Sequence, residues 1–241
     1  MSSLRSATLL INTPPDGWMP DKATSLGGVI IMPQNVTDAD LVVLRNRNLP
    51  YVIFTESGLE GPRVNLGQRY AAKQMTEELL RLGHRRFAFL SGYDTLLDAT
   101  KRLGFHDALK DAGIDPTQVP EISANGDESS IFQAARGVLE LKPRPTAVLA
   151  TDDCLGRMLI YHGRDVNLKV PEDMSIVSFH EWPYLKYIEP ALTTVHFEFF
   201  KAGQKAAEVL THSALTGEPV KDITFDPCFV PGQTIGPAPK S

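Results

Sequence analysis

Leu79-Leu80-Arg81-Leu82-Gly83-His84-Arg85-Arg86-Phe87-Ala88-Phe89-Leu90-Ser91-Gly92 holds the end of a helix, a stop and a strand in fourteen residues. Upstream, Ala71, Met75, Leu79 and Leu82 recur at helical spacing, with Lys73, Glu77, Glu78 and Arg81 on the other side, so Tyr70–Leu82 is expected to be an amphipathic helix. Gly83 can take the positive φ that closes a helix and that β-branched residues resist. His84, Arg85 and Arg86 set cations beside the negative end of the helix dipole; the cluster is too short for a nucleic-acid-binding stripe. Phe87–Leu90 is apolar at every position, which suits a parallel strand covered by helices on both faces.

The same alternation runs outward in both directions. Strands are expected at Ala7–Asn12, Gly28–Met32, Tyr51–Phe54, Ala147–Ala150 and Ser175–Phe179. Helical patterns cover Phe105–Ala112, Ser129–Leu141, Leu155–Gly163 and Phe199–Leu215, with stops at Gly113, Pro143 and Pro145. This is an α/β fold with parallel strands. No repeat and no Pro/Gly/Ser linker divides the chain, so two lobes would have to be joined by ordinary loops. The turn-rich tail from Pro231 to Ser241 is expected to fray.

Composition excludes several classes. With 241 residues, 42% hydrophobic and 22% charged, the chain is neither disordered nor too small for a core. It has no run of roughly 18 apolar residues that would span a membrane, and Met1–Ser6 lacks the apolar core of a secretory signal. Cys154 and Cys228 lie far apart with no CxxC pair, which fits a reduced, cytoplasmic protein. The net charge of −5 argues against a free-standing nucleic-acid binder. There is no P-loop, no GxGxxG after a strand and no GxSxG elbow, and the six histidines form no HxH or HExxH pair. Neither catalysis nor a metal or cofactor is expected.

Four collinear stretches, covering residues 27 to 195, resemble the LacI/GalR family of bacterial transcription regulators. They are Gly28-Val29-Ile30-Ile31-Met32-Pro33 with Leu49-Pro50-Tyr51-Val52-Ile53; the segment Leu79–Gly92; Gly104-Phe105 with Pro145-Thr146-Ala147-Val148-Leu149-Ala150-Thr151-Asp152; and Val170-Pro171-Glu172-Asp173-Met174-Ser175-Ile176-Val177-Ser178-Phe179 with Pro190-Ala191-Leu192-Thr193-Thr194-Val195. The resemblance implies two parallel-sheet lobes of the type I periplasmic-binding-protein-like fold. The first lobe would comprise residues 1–83 plus 195–219 and the second 84–194 plus 220–241, with crossovers near His84, Val195 and Pro219. A small, sugar-like effector would bind in the cleft of a homodimer and control DNA binding allosterically. The DNA would be read by an N-terminal helix-turn-helix absent from this sequence. Leu9–Thr13 resembles the family's second strand, so the first lobe is expected to be short at its front, or Ala7–Asn12 takes the first strand's place. A stand-alone sugar-binding protein of the transport type is the alternative, disfavoured by the missing signal.

The resemblance also nominates effector-binding positions. The family carries an Arg three residues before its Gly-Phe pair. Counting back from Gly104 gives Lys101 and counting forward from Gly92 gives Arg102; Arg102 is preferred because its planar fork suits paired hydroxyls. Thr151-Asp152 stands where the family has Asn-Asp, and Asp152 serves the pocket or caps the next helix with equal weight. Ser178-Phe179-His180-Glu181-Trp182 replaces Gly-Phe-Asp-Asp. His180 offers one donor and one acceptor in place of a bidentate carboxylate, Glu181 could restore the carboxylate, and Trp182 could stack on a sugar face. A further family Asp is Gly67 here. These departures point away from the common sugar and purine effectors, either to a different ligand or to decayed sensing.

Overall fold

Parallel strand pairing with helices between the strands organises the chain, as the computed structural model shows for residues 27–32, 36–56, 58–92, 95–180, 187 and 189–240. The expected strand Ala7–Asn12 and the candidate residues Glu181 and Trp182 lie outside the described residues. In chain order the first elements are β1 (Val29–Ile31), α1 (Asp38–Asn46), β2 (Tyr51–Ile53), β3 (Val64–Asn65), α2 (Gln68–Arg81), β4 (Phe87–Ser91) and α3 (Leu96–Asp111). Then come β5 (Glu121–Ser123), α4 (Glu128–Glu140), β6 (Ala147–Ala150), α5 (Asp153–Asp165), β7 (Ser175–Val177), β8 (Thr194–His196), α6 (Phe199–Thr216), β9 (Ile223–Thr224) and β10 (Cys228–Val230).

Two compact units result: Met1–Gly67 with Glu198–Asp226, and Gln68–Phe197 with Pro227–Ser241. Helix α2 was expected on the first side of the division. It falls in the second unit because it packs along α3, where Gly104 lies so close to the Arg69 carbonyl that no Cβ would fit. In the first unit β1 pairs in parallel with β2, a bridge from Ile53 to Arg63 leads to β3, and β3 pairs in parallel with β9. Thr37 and Asp40 close a capping box at the start of α1.

The second unit is built on a parallel sheet ordered β5-β4-β6-β7. Successive residues of β4 face opposite sides. Phe87 and Phe89 meet Phe105 of α3, while Ala88 and Leu90 join Val148, Ile176, Val138 and Leu159 in the core beneath α4 and α5. Both faces are therefore covered, which is why the strands read as unbroken apolar runs. Gly83 closes α2 at φ +93° and Gly113 follows α3 at φ +72°.

Several elements differ from expectation: α1, β3, β8, β9 and β10 were not expected, and three further differences bear on the site. Helix α3 starts at Leu96, well before Phe105, because Thr95 caps it and its first turns turn the polar Asp98 and Lys101 inward, which breaks the apolar period. The edge strand β5 was not expected; Glu121 and Ser123 are exposed and leave no apolar run to read. The described part of the tail, to Lys240, does not fray as expected: Thr234 O accepts from Ile176 N–H, and Ala238 N–H donates to Leu82 O. Among the described residues no helix is long and apolar enough to cross a membrane, and both cysteines are free.

Candidate functional site

Polar groups gather where β4, β6 and β7 end, the position at which open α/β sheets hold ligands. Asp98, Lys101 and Phe105 fall on the inward face of α3, at i, i+3 and i+7. The Lys101 side chain is 2% exposed, and its Nζ lies 3.3 Å from Asp98 Oδ1 and donates to the Thr151 carbonyl at 2.9 Å. It also stands 5.3 Å from the centre of the Phe179 ring. A buried ammonium survives only with such compensation. Thr151 fixes the sheet end itself: its N–H donates to Leu90 O and its Oγ1 accepts from Gly92 N–H at 3.1 Å. Beside it the Ser91 hydroxyl donates to that of Ser123 at 2.8 Å.

Asp152 caps α5, its carboxylate accepting from Leu155 N–H at 2.9 Å. Burial raises its carboxyl above the ordinary range, partly offset by that amide and by Lys101. Gly92 packs so tightly on this carboxylate that a Cβ there would collide with it. His180 follows β7 with φ +70°, a left-handed conformation uncommon outside glycine. Strand β8 holds it there: His180 N–H donates to Val195 O at 3.0 Å, and Thr194 Oγ1 donates to His180 O at 3.1 Å. Burial, helped by the Lys101 charge, pushes the imidazole down to about 3, so it is neutral at any physiological pH. Beneath it Phe179 and Phe197 stack at 6.2 Å.

Of the nominated residues, Lys101, Thr151, Asp152 and His180 thus share one neighbourhood. Arg102 does not, which corrects the preference drawn from its fork. One residue further along α3 turns its side chain by about 100°. Its Nε lies 3.0 Å from Glu121 Oε2, at the start of β5, and its guanidinium over the Phe89 ring. His106, one turn on, pairs with the same Glu121. Asp98 was missed; its i,i+3 spacing to Lys101 was the available signal. No group of three or more His, Cys, Asp or Glu among the described residues could hold a metal ion. The cluster offers hydroxyls, a capping carboxylate and a neutral imidazole, a set suited to binding hydroxyl-bearing ligands by hydrogen bonds.

Residues 76–235 match the family described as periplasmic binding protein-like domain. The HTH-type transcriptional repressor PurR of Photobacterium profundum is 30% identical over 189 residues, covering 76% of this chain and 56% of PurR. The HTH-type transcriptional regulator GalR of Escherichia coli is 29% identical over 214 residues, covering 84% of this chain and 60% of GalR. The chain thus spans less than two thirds of the length of these relatives. In fold it is similar to a LacI family transcriptional regulator from Enterococcus faecium with bound ribose, at a TM-score of 0.77 and 22% identity over 88% of this chain and 80% of that one.

Proposed function

Since this chain belongs to the periplasmic binding protein-like domain family, in its LacI/GalR regulator branch, we propose that it senses a small effector and is not an enzyme. The observation that carries the reading is the cluster of Lys101, Thr151, Asp152 and His180 at the strand ends of the second unit. The neutral His180 and the capped Asp152 favour a hydroxyl-rich, sugar-like ligand. The ribose in the Enterococcus faecium structure is that protein's ligand; for this chain the support is the hydrogen-bonding chemistry of its own residues. Glu181 and Trp182, next along the chain, are proposed to complete the site, and the two units to be the family's two lobes.

Effector binding would then favour one arrangement of the lobes in a cytoplasmic homodimer and pass to a DNA-reading helix-turn-helix module outside these residues. Calorimetric titration with neutral mono- and disaccharides tests the reading. One of them should bind saturably, and His180→Ala should weaken it roughly tenfold or more, the loss of a hydrogen-bonded pocket group. Absence of saturable heat from the whole panel at millimolar ligand would overturn the sugar-sensing reading.

A further inference from the structure

At the opposite end of the same sheet, before β6 begins, α4 and the C-terminal end of α5 line an open hollow of about 400 Å³. That volume lies in the range of small-molecule sites. Its apolar walls are Phe132, Leu139 and Val166, and its cations are Arg136, Lys142 and Arg144. Three cations outnumber the two acids around this hollow, in a chain of net charge −5.

The carbonyls that close two helices would by themselves repel an anion. Arg144 answers one of them, its Nε donating to Leu139 O at 3.1 Å. Arg136 lies over Phe132 and reaches Glu140 only at 3.7 Å. Lys142 has no ion-pair partner among the described residues, so positive charge is left over. Two acids, Glu140 and Asp165, also line the hollow; both are exposed and loosely held, and they leave the lining one net positive charge.

A second observation points into the same place. His162 lines the cavity and is 4% exposed. Its Nδ1 lies 3.4 Å from Asp165 Oδ2, but its Nε2 is buried without a hydrogen-bond partner. Buried polar atoms without partners are few in folded proteins and mark places where water, an ion or a ligand is missing. Phe132 stands edge-on to this imidazole with ring centres 4.2 Å apart.

We propose that this cavity is a second ligand site, for a small organic anion. Its apolar body rests on Phe132, Leu139 and Val166, and its carboxylate or phosphate is held by Arg136, Lys142 and Arg144. The site uses none of the residues of the effector cluster and stands independently of it.

The test follows the histidine ring C–H resonances of the whole chain as sodium benzoate or inorganic phosphate is added at constant ionic strength. Benzoate should shift the His162 signal saturably and leave that of His180 in place. The exposed pair Arg136→Ala/Lys142→Ala, which should leave the fold intact, should weaken this response about tenfold or more. Phosphate should bind more weakly, because it lacks the apolar body. The proposal is overturned by an unsaturable or absent His162 shift, by equal affinity in the double variant, or by phosphate binding as tightly as benzoate.

Discussion

Two histidines occupy opposite ends of one parallel sheet and live in contrasting surroundings. His84 lies at the start of the strands and is fully buried. Its Nδ1 meets Thr146 Oγ1 at 3.0 Å, and its Nε2 meets Ser175 Oγ and Gly236 O, each at 3.0 Å. It thereby ties the tail to the first residues around β6 and β7. His180 lies at the other end, in a left-handed backbone conformation, with a buried cation as its neighbour. Burial lowers both imidazoles below their ordinary value. One ring is knit into the scaffold by hydroxyls and a carbonyl; the other sits in a left-handed turn among the groups proposed to bind the effector. Unusual backbone geometry tends to collect at sites of function; of the described non-glycine residues of this unit with positive φ, His180 lies just after the C-terminal end of β7 and Asn167 in the loop before that strand.

The largest expected effect lies beside His180. Lys101→Met strands the Asp98 carboxylate, 7% exposed, without its cation. The loss should be about 3–5 kcal/mol in chemical denaturation, and most of it should return in Lys101→Met/Asp98→Leu. A loss below about 1 kcal/mol would show that the pair is solvated and the burial argument misplaced. Next comes His84→Ala, which leaves Thr146, Ser175 and Gly236 O short of a partner. It should cost about 2–3 kcal/mol and leave sugar affinity unchanged. His180→Ala should do the reverse, disturbing affinity more than stability. If both variants affect the same property, the two ends are not divided between scaffold and site.

Acid titration separates the histidines further. A histidine whose folded pKa is depressed stabilises the fold fully above its unfolded value, near 6.5, and loses that stabilisation as pH falls towards the folded value. For His180 the window runs from 6.5 down to about 3, with a slope of up to about 1.4 kcal/mol per pH unit. His84 acts in the same direction from the same upper limit. Asp152 and Asp153, whose carboxyls are raised by burial, act oppositely and lose stabilisation as pH rises above 3.8. The difference between the native chain and His180→Asn isolates the His180 contribution. Urea midpoints of the two should diverge steadily below pH 6.5, and parallel curves would mean that the His180 ring is solvated.

The covered strands were legible because both of their faces are buried. The apolar runs Phe87–Leu90 and Ala147–Ala150 mark β4 and β6 to within a residue. Ser175–Phe179 marks the start of β7, and the strand ends at Val177 because Ser178 N–H turns to Thr193 O. The edge strand β5 has no second covered face and left no trace. The front of α3 was hidden for the opposite reason: Asp98 and Lys101 face inward as a compensated pair, so an inward face looked like an outward one. Asp152 was legible as a cap or a pocket residue, and the Leu155 amide shows the cap. Lys101 and Arg102 could not be separated by counting along a loop of uncertain length. Their difference is a rotation about the helix axis.

That rotation makes the smallest prediction the most discriminating one. Arg102→Ala removes a half-buried guanidinium that meets Glu121 at 3.0 Å, with side chains 25% and 28% exposed. A pair so open to solvent is worth no more than about 1 kcal/mol, and His106 remains beside Glu121 to share its charge. Helix α3 should therefore hold, and the cluster around Lys101 should keep its geometry, since no bond among Lys101, Asp98 and Thr151 passes through Arg102. Sugar affinity should stay within about twofold of the native chain, well under the 1.4 kcal/mol that a tenfold change represents. A tenfold loss in Arg102→Ala, with stability unchanged, would return the pocket role to the arginine and show that α3 rotates when ligand binds.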